Sequence, residues 1–231
     1  MADAASMNRL DHLRRFYDLL DDLADRQRGP RPLADAVAAL GNESGVYFFF
    51  EPEEVRSDSG TALRVVRVGT HALKPGASST LRGRLRQHGG TRAGSGNHRG
   101  SIFRLLTGDA LMRCGSEAVC STWEGKPANK LLEAPLELAV SLRLALTRVV
   151  WLRIDDPPGP GSQRGWIERN SIALLSNHGK TQLDPPSADW LGQHSSRPLV
   201  RSSGLWNQRH VEERYDPAFL DDLELLIGDH R

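Results

Sequence analysis

Arg84 and His88 stand four residues apart in SSTLRGRLRQH, residues 78–88. On a helix that interval places both side chains on one face, one turn apart. A guanidinium and an imidazole so placed suit a phosphodiester: the first neutralises charge that grows on phosphate, and the second accepts or relays a proton. The spacing alone is common on exposed helices. Its surroundings are less common. Residues 59–108 contain no Asp or Glu but hold nine Lys or Arg, namely Arg64, Arg67, Lys74, Arg82, Arg84, Arg86, Arg92, Arg99 and Arg104, with His71, His88 and His98 beside them. The chain carries 30 basic and 29 acidic residues, so a net charge of +1 conceals a local +9 and a remainder of −8. Near-neutrality therefore does not exclude a polyanionic partner, since arginines and the amides of the Gly-rich run GGTRAGSGNHRGS are suited to phosphate oxygens. A solvated basic face balanced by acidic helices accounts for the same count.

The elements that must position these groups follow from periodicity. Leu10, Leu13, Phe16, Tyr17, Leu20 and Leu23 recur every three or four residues and predict an amphipathic helix over 8–26, followed, after Gly29-Pro30 and Pro32, by a short helix over 33–40. The pattern then becomes β-branched and aromatic. Residues 45–50 (GVYFFF) and 62–68 (ALRVVRV) read as paired strands joined by the acidic loop EPEEVRSDSG, and 148–154 (RVVWLRI) as a third strand. Helices are predicted from Ser78 with Ser79 or Thr80 as cap, over 102–112, over 129–147 with its leucines taken as core, over 166–175, and over 217–227. The Gly-rich run is expected to be a loop or lid, and 178–200 mostly Pro- and Ser-rich loop. The fold class is α+β. The two cysteines, Cys114 and Cys120, cannot build a disulfide framework, and the first residues lack a signal peptide's apolar run, so the expected address is cytoplasmic. Arg143, Arg148 and Arg153 interrupt the most hydrophobic region, so no membrane span is expected.

The order of Gly45-Val46-Tyr47, Arg67-Val68-Gly69, Arg84, His88 and Glu168 resembles the GIY-YIG nuclease family. The resemblance covers roughly residues 45–177, with an insertion near 100–147. It implies a small three-stranded antiparallel sheet flanked by helices, in the order strand, strand, helix, strand, helix. The domains expected are an N-terminal helical extension (1–42), a nuclease core (43–178) and a C-terminal loop and helix extension (179–231). Three departures stand out. Arg67 occupies the place of the second motif's Tyr, Thr70 follows the glycine where many members carry Lys, and Asn177 lies closer to Glu168 than the family's Asn usually does, which leaves Asn207 as a rival.

The resemblance implies a metal-dependent endonuclease acting on DNA, of restriction or phage-defence type and a candidate homodimer. Glu168 would hold Mg²⁺ or Mn²⁺, Tyr47 would take a proton from the attacking water directly or through His88, and Arg84 would stabilise the pentacovalent phosphate. Arg67, Thr70, His98, Arg99 and Asn177 are the expected substrate contacts. Each residue also has a plainer reading: Tyr47 as a core aromatic, His88 as a structural histidine, Glu168 as a partner of Arg164 or Arg169, Asn177 as a helix terminus. The competing function is a nucleic-acid-binding module on the same fold that has lost catalysis, which Arg67 in place of Tyr favours.

Overall fold

Asn8 caps the first helix. Its side chain accepts hydrogen bonds from the backbone N–H groups of Leu10 and Asp11, while Asp11 accepts from the Asn8 N–H, a reciprocal box that fixes the helix start. The computed structural model describes residues 8–91 and 93–229. In chain order the elements are α1 (Arg9–Arg26), β1 (Arg31–Pro32), α2 (Leu33–Ala39), β2 (Gly45–Val55), β3 (Leu63–Gly69), α3 (Leu81–Gly89), α4 (Ile102–Arg113), α5 (Lys130–Ala145), β4 (Arg148–Arg153), α6 (Gln163–Leu175), α7 (Pro198–Ser203) and α8 (Phe219–Gly228).

The sheet is antiparallel throughout, in the order β1-β4-β2-β3. Its three long strands are the expected ones; β1 is a two-residue edge strand supplied by the Gly-Pro break and paired with β4. Alternation along β2 divides the interior. Val46, Phe48 and Phe50 face α1, α6 and α8, whereas Tyr47 and Phe49 face α2, α3, α4 and α5. Phe16, Leu20, Phe219 and Leu223 share the first of these cores with the sheet, so both predicted extensions are fastened to it. Burial of such side chains stabilises by about 1.5–3 kcal/mol each.

Three expectations need correction. The first half of the acidic loop is strand: β2 runs on to Val55, and Glu51 and Glu54 point inward to ion pairs with Arg143 and Arg64. Of the leucines over 129–147 only Leu136 and Leu144 are buried, with Val140 completing the inward stripe of α5; Leu131, Leu132, Leu138, Leu142 and, at the helix C-cap, Leu146 are exposed. The 178–200 loop contains a 3₁₀ turn at Leu191–His194 and leads into α7. No helix among the described residues is long and apolar enough to cross a membrane.

Candidate active site

Two glycines allow the site to close. At Gly45 an added Cβ would lie 2.1 Å from the carbonyl oxygen of Leu152, so β2 meets β4 only without a side chain there. At Gly69, which pairs with Tyr47 across the β2–β3 ladder, a Cβ would lie 2.3 Å from the Tyr47 Oη. The glycine is the space into which the phenol ring folds. Tyr47 then reaches α3, where its Oη lies 2.8 Å from His88 Nε2. His88 Nδ1 lies 2.7 Å from the Ser101 Oγ, and the carbonyl of His88 accepts from Arg104 Nη1. Thr80 caps α3 by accepting from the Gly83 N–H, which sets the helix phase that aims Arg84 and His88.

Glu168 arrives from the opposite side of the sheet, on α6. One of its oxygens accepts from the Thr70 N–H at 3.1 Å, and the Thr70 hydroxyl donates to the Gly45 carbonyl, tying the carboxylate to the ends of β2 and β3. The plainer reading of Glu168 as an ion-pair partner fails: Arg164 pairs with Asp156 and Arg169 with Glu213. Among the described residues no cation lies within ion-pair distance of Glu168, and its second oxygen accepts no hydrogen bond.

Arg67 lies buried between these groups. Its Nη1 donates to the Trp206 carbonyl and its guanidinium stands over the Phe103 ring. Burial holds Arg67 below the usual guanidinium value, and the charges that act on it come from Tyr47, Arg84 and Glu168. Burial also pushes the Glu168 carboxyl up, against the pull of Arg67, His210, the Thr70 N–H and Arg84. His88 is held well below the imidazole range by burial, reinforced by Arg67, Arg84 and Arg104, and is therefore neutral. Tyr47 and His88 on one side of the sheet and Glu168 on the other are thus linked electrostatically through Arg67, near the start of β2 and the end of β3.

Arg84 stands at the boundary of two surface depressions. The larger, about 1670 Å³, runs between α2, α3 and α5 past Thr70, Arg82 and Arg86; the smaller holds Arg99, Lys126 and Arg197. Arg84 donates to Gln87 and to the Gly100 carbonyl rather than to a carboxylate. The GIY-YIG domain profile matches residues 7–231. The chain belongs to the GIY-YIG family. Neither the curated proteins nor the solved structures contain a match.

Within this GIY-YIG chain, several expected substrate contacts are bonded to other protein groups. Arg99 holds Glu133 through both terminal nitrogens and also donates to the carbonyls of Thr122 and Gly125. His98 is buried, bonded to Glu137 and stacked on Trp123 with ring centroids 3.7 Å apart. The Gly-rich run is thus pinned to α5 at its far end rather than lying open as a lid. Asn177 organises a different turn, accepting from Arg9 and the Leu183 N–H and donating to the Leu183 carbonyl. Asn207, the rival, accepts from the N–H of Val68 and donates to its carbonyl, so it covers the edge of β3 two residues from Thr70. Sequence reasoning missed His210, which acts on Glu168 and pairs with Glu213, and Ser101. The LWNQRH run contains both Asn207 and His210, but no periodicity marks its place beside β3.

Proposed function

We propose that this GIY-YIG protein is a metal-dependent endonuclease that hydrolyses DNA phosphodiester bonds, in a cytoplasmic restriction or phage-defence role. The observation that carries the reading is the electrostatic linkage of Tyr47, His88, Arg67 and Arg84 with a carboxylate, Glu168, that has no ion-pair partner among the described residues. Tyr47 takes the proton of the attacking water, helped by the Arg67 cation that stabilises a phenolate. Arg84 meets the charge of the pentacovalent phosphate, a contribution of roughly 3 kcal/mol. Glu168 suits Mg²⁺ or Mn²⁺: a hard cation that keeps most of its waters asks for one or two carboxylates, and this one has an oxygen uncommitted. Among the described residues there is no cluster of three His, Cys, Asp or Glu to hold a metal more fully. When bound, the ion supplies Lewis acidity to the phosphate and the leaving oxygen.

The groove past Arg82 and Arg86 is the path for the nucleic-acid backbone, and Thr70 marks its junction with the site. The N- and C-terminal extensions supply recognition, and double-strand cutting takes two copies because one site attacks one strand at a time. A second reading, a binding module without turnover, is favoured by the 1% exposure of Tyr47 and by Arg67 in the second motif. Incubation with plasmid, single-stranded DNA and RNA in Mg²⁺ or Mn²⁺ separates the two. Nicking of plasmid supports the nuclease. Salt-sensitive binding without nicking at any metal concentration rejects it in favour of the module.

A further inference from the structure

Arg84 lines a second depression, of about 670 Å³, besides the long groove. Its wall comes largely from the segment inserted after the Arg84/His88 helix: Ile102 and Leu105 of α4, Trp123 and Lys126 of the loop that follows, with Arg197 from the C-terminal extension. The Gly100 carbonyl, which accepts from Arg84 Nη1 at 3.2 Å, joins this segment to α3. Trp123 is fixed in place. Its ring stacks on His98, its indole N–H donates to the Leu105 carbonyl at 3.0 Å, and an added Cβ at Gly108 would lie 2.3 Å from the ring. Ile102 is exposed and Leu105 half-buried, so apolar surface remains open. The cations divide. Arg99 is committed to Glu133 and Arg197 to Glu124. Among the described residues, the exposed Lys126 has neither an ion pair nor a hydrogen bond, and Arg84 meets no carboxylate.

Two cations without carboxylate partners suit phosphate, and an apolar wall suits a ring. A nucleotide carries both, because its base has apolar faces and phosphates flank its sugar. We infer that this depression takes the nucleotide adjoining the phosphate at Arg84, with its base packed on Ile102 and Leu105 and its outer phosphate on Lys126. The assignment rests on the nuclease reading for the phosphate at Arg84, and on the depression itself for the class of ligand. Within a duplex both faces of a base are stacked, so the nucleotide held here is either part of a single strand or turned out of the helix. The long groove and the depression then hold successive stretches of one strand, with Arg84 where they meet. Choice of the nucleotide beside the cut falls to residues of the inserted segment rather than to the glycine motifs.

Binding can be read without turnover. The probes are the four 2′-deoxynucleoside 3′,5′-bisphosphates, titrated without metal into the ¹⁵N-labelled full chain, with the same bisphosphate lacking a base as control. At least one nucleotide should move the indole N–H signal of Trp123, assigned by comparison with Trp123→Phe, and bind about 5-fold or more tightly than the control. An unmoved Trp123 signal, or equal affinity for the control and all four nucleotides, overturns the inference. Ile102→Asp places a carboxylate in the first turn of α4, where the helix dipole favours it, so the melting temperature should stay near that of wild type while the advantage of the base is lost. Lys126→Ala should lower the slope of log K against log salt for a single-stranded oligonucleotide by about 0.7, one phosphate fewer. Wild-type base preference in Ile102→Asp, or an unchanged slope in Lys126→Ala, also overturns it. Base-dependent binding in a protein that cuts nothing counts against the nuclease reading and leaves the nucleotide site standing; cleavage without base-dependent binding does the reverse.

Discussion

Arg104 and Arg84 come from the same acid-free stretch and meet opposite fates. Arg104 is fully buried, with Glu137 accepting from its Nε and Nη2 and with the His88 carbonyl and Ser141 as further acceptors. Arg64 and Arg99 are likewise matched to Glu54 and Glu133. Each carboxylate lies outside the stretch. Arg82, Arg84, Arg86 and Lys74 have no carboxylate within ion-pair distance among the described residues, and the three arginines line the groove. The local +9 is thus part scaffold and part substrate surface. A charge count locates a basic segment in the chain; only the fold separates cations that hold the protein together from those that remain to meet phosphate.

The division predicts effects of different kind and size. Arg104→Ala leaves the buried Glu137 carboxylate without its guanidinium partner and should destabilise by about 3–5 kcal/mol in urea unfolding, whereas Arg104→Met with Glu137→Gln, which removes the charge and keeps an acceptor for His98, should recover part of that deficit. Equal destabilisation by the single and double variants would break the scaffold half of the comparison. Arg84→Ala should do the reverse. Its stability should stay within about 0.5 kcal/mol of wild type, while kcat on plasmid falls roughly 10²- to 10³-fold, about 3 kcal/mol in the barrier. An Arg84→Ala protein that cuts normally would return Arg84 to the solvated face. The smallest effect belongs to the groove: Arg82→Ala with Arg86→Ala should weaken DNA binding in all sequences alike and reduce the slope of log K against log salt by about 0.9 for each phosphate that is no longer neutralised. An unchanged slope would move the backbone path elsewhere.

The same contrast marks what is legible in the sequence. Strand order, the helix bearing Arg84 and His88, and the glycines of both motifs can be read because each is local: a period of two, a period of 3.6, a cap, a close approach. Glu168 is legible through the motif order, and its separation from Arg164 and Arg169 requires their partners to be known. The roles of Arg99 and His98 are not legible, since Glu133 and Glu137 lie more than thirty residues away on α5. Leu138 and Leu142 read as core because leucine spacing on α5 is compatible with more than one face, and the inward face is chosen by Val140 and Leu144 packing on the sheet side. The contacts of Asn207, named from the sequence only as a rival to Asn177, and of Ser101 escape for a related reason. Their hydrogen bonds, to the Val68 backbone and to His88, arise from segments that return to the sheet after long excursions.

Glu168 is the residue on which the nuclease reading turns, because its carboxylate has little structural reason to be there. Burial raises its proton affinity, and among the described residues no cation offsets the cost by direct pairing. Glu168→Gln keeps the shape and can still accept from the Thr70 N–H. The decisive measurement is plasmid nicking by wild type and Glu168→Gln across a Mg²⁺ titration, with DNA binding and thermal unfolding followed on the same samples. Metal-dependent cleavage at this site predicts Mg²⁺-dependent nicking by the wild type. It predicts none by the variant, with DNA binding intact and a melting temperature equal to or above that of wild type. Undiminished nicking by Glu168→Gln would contradict it.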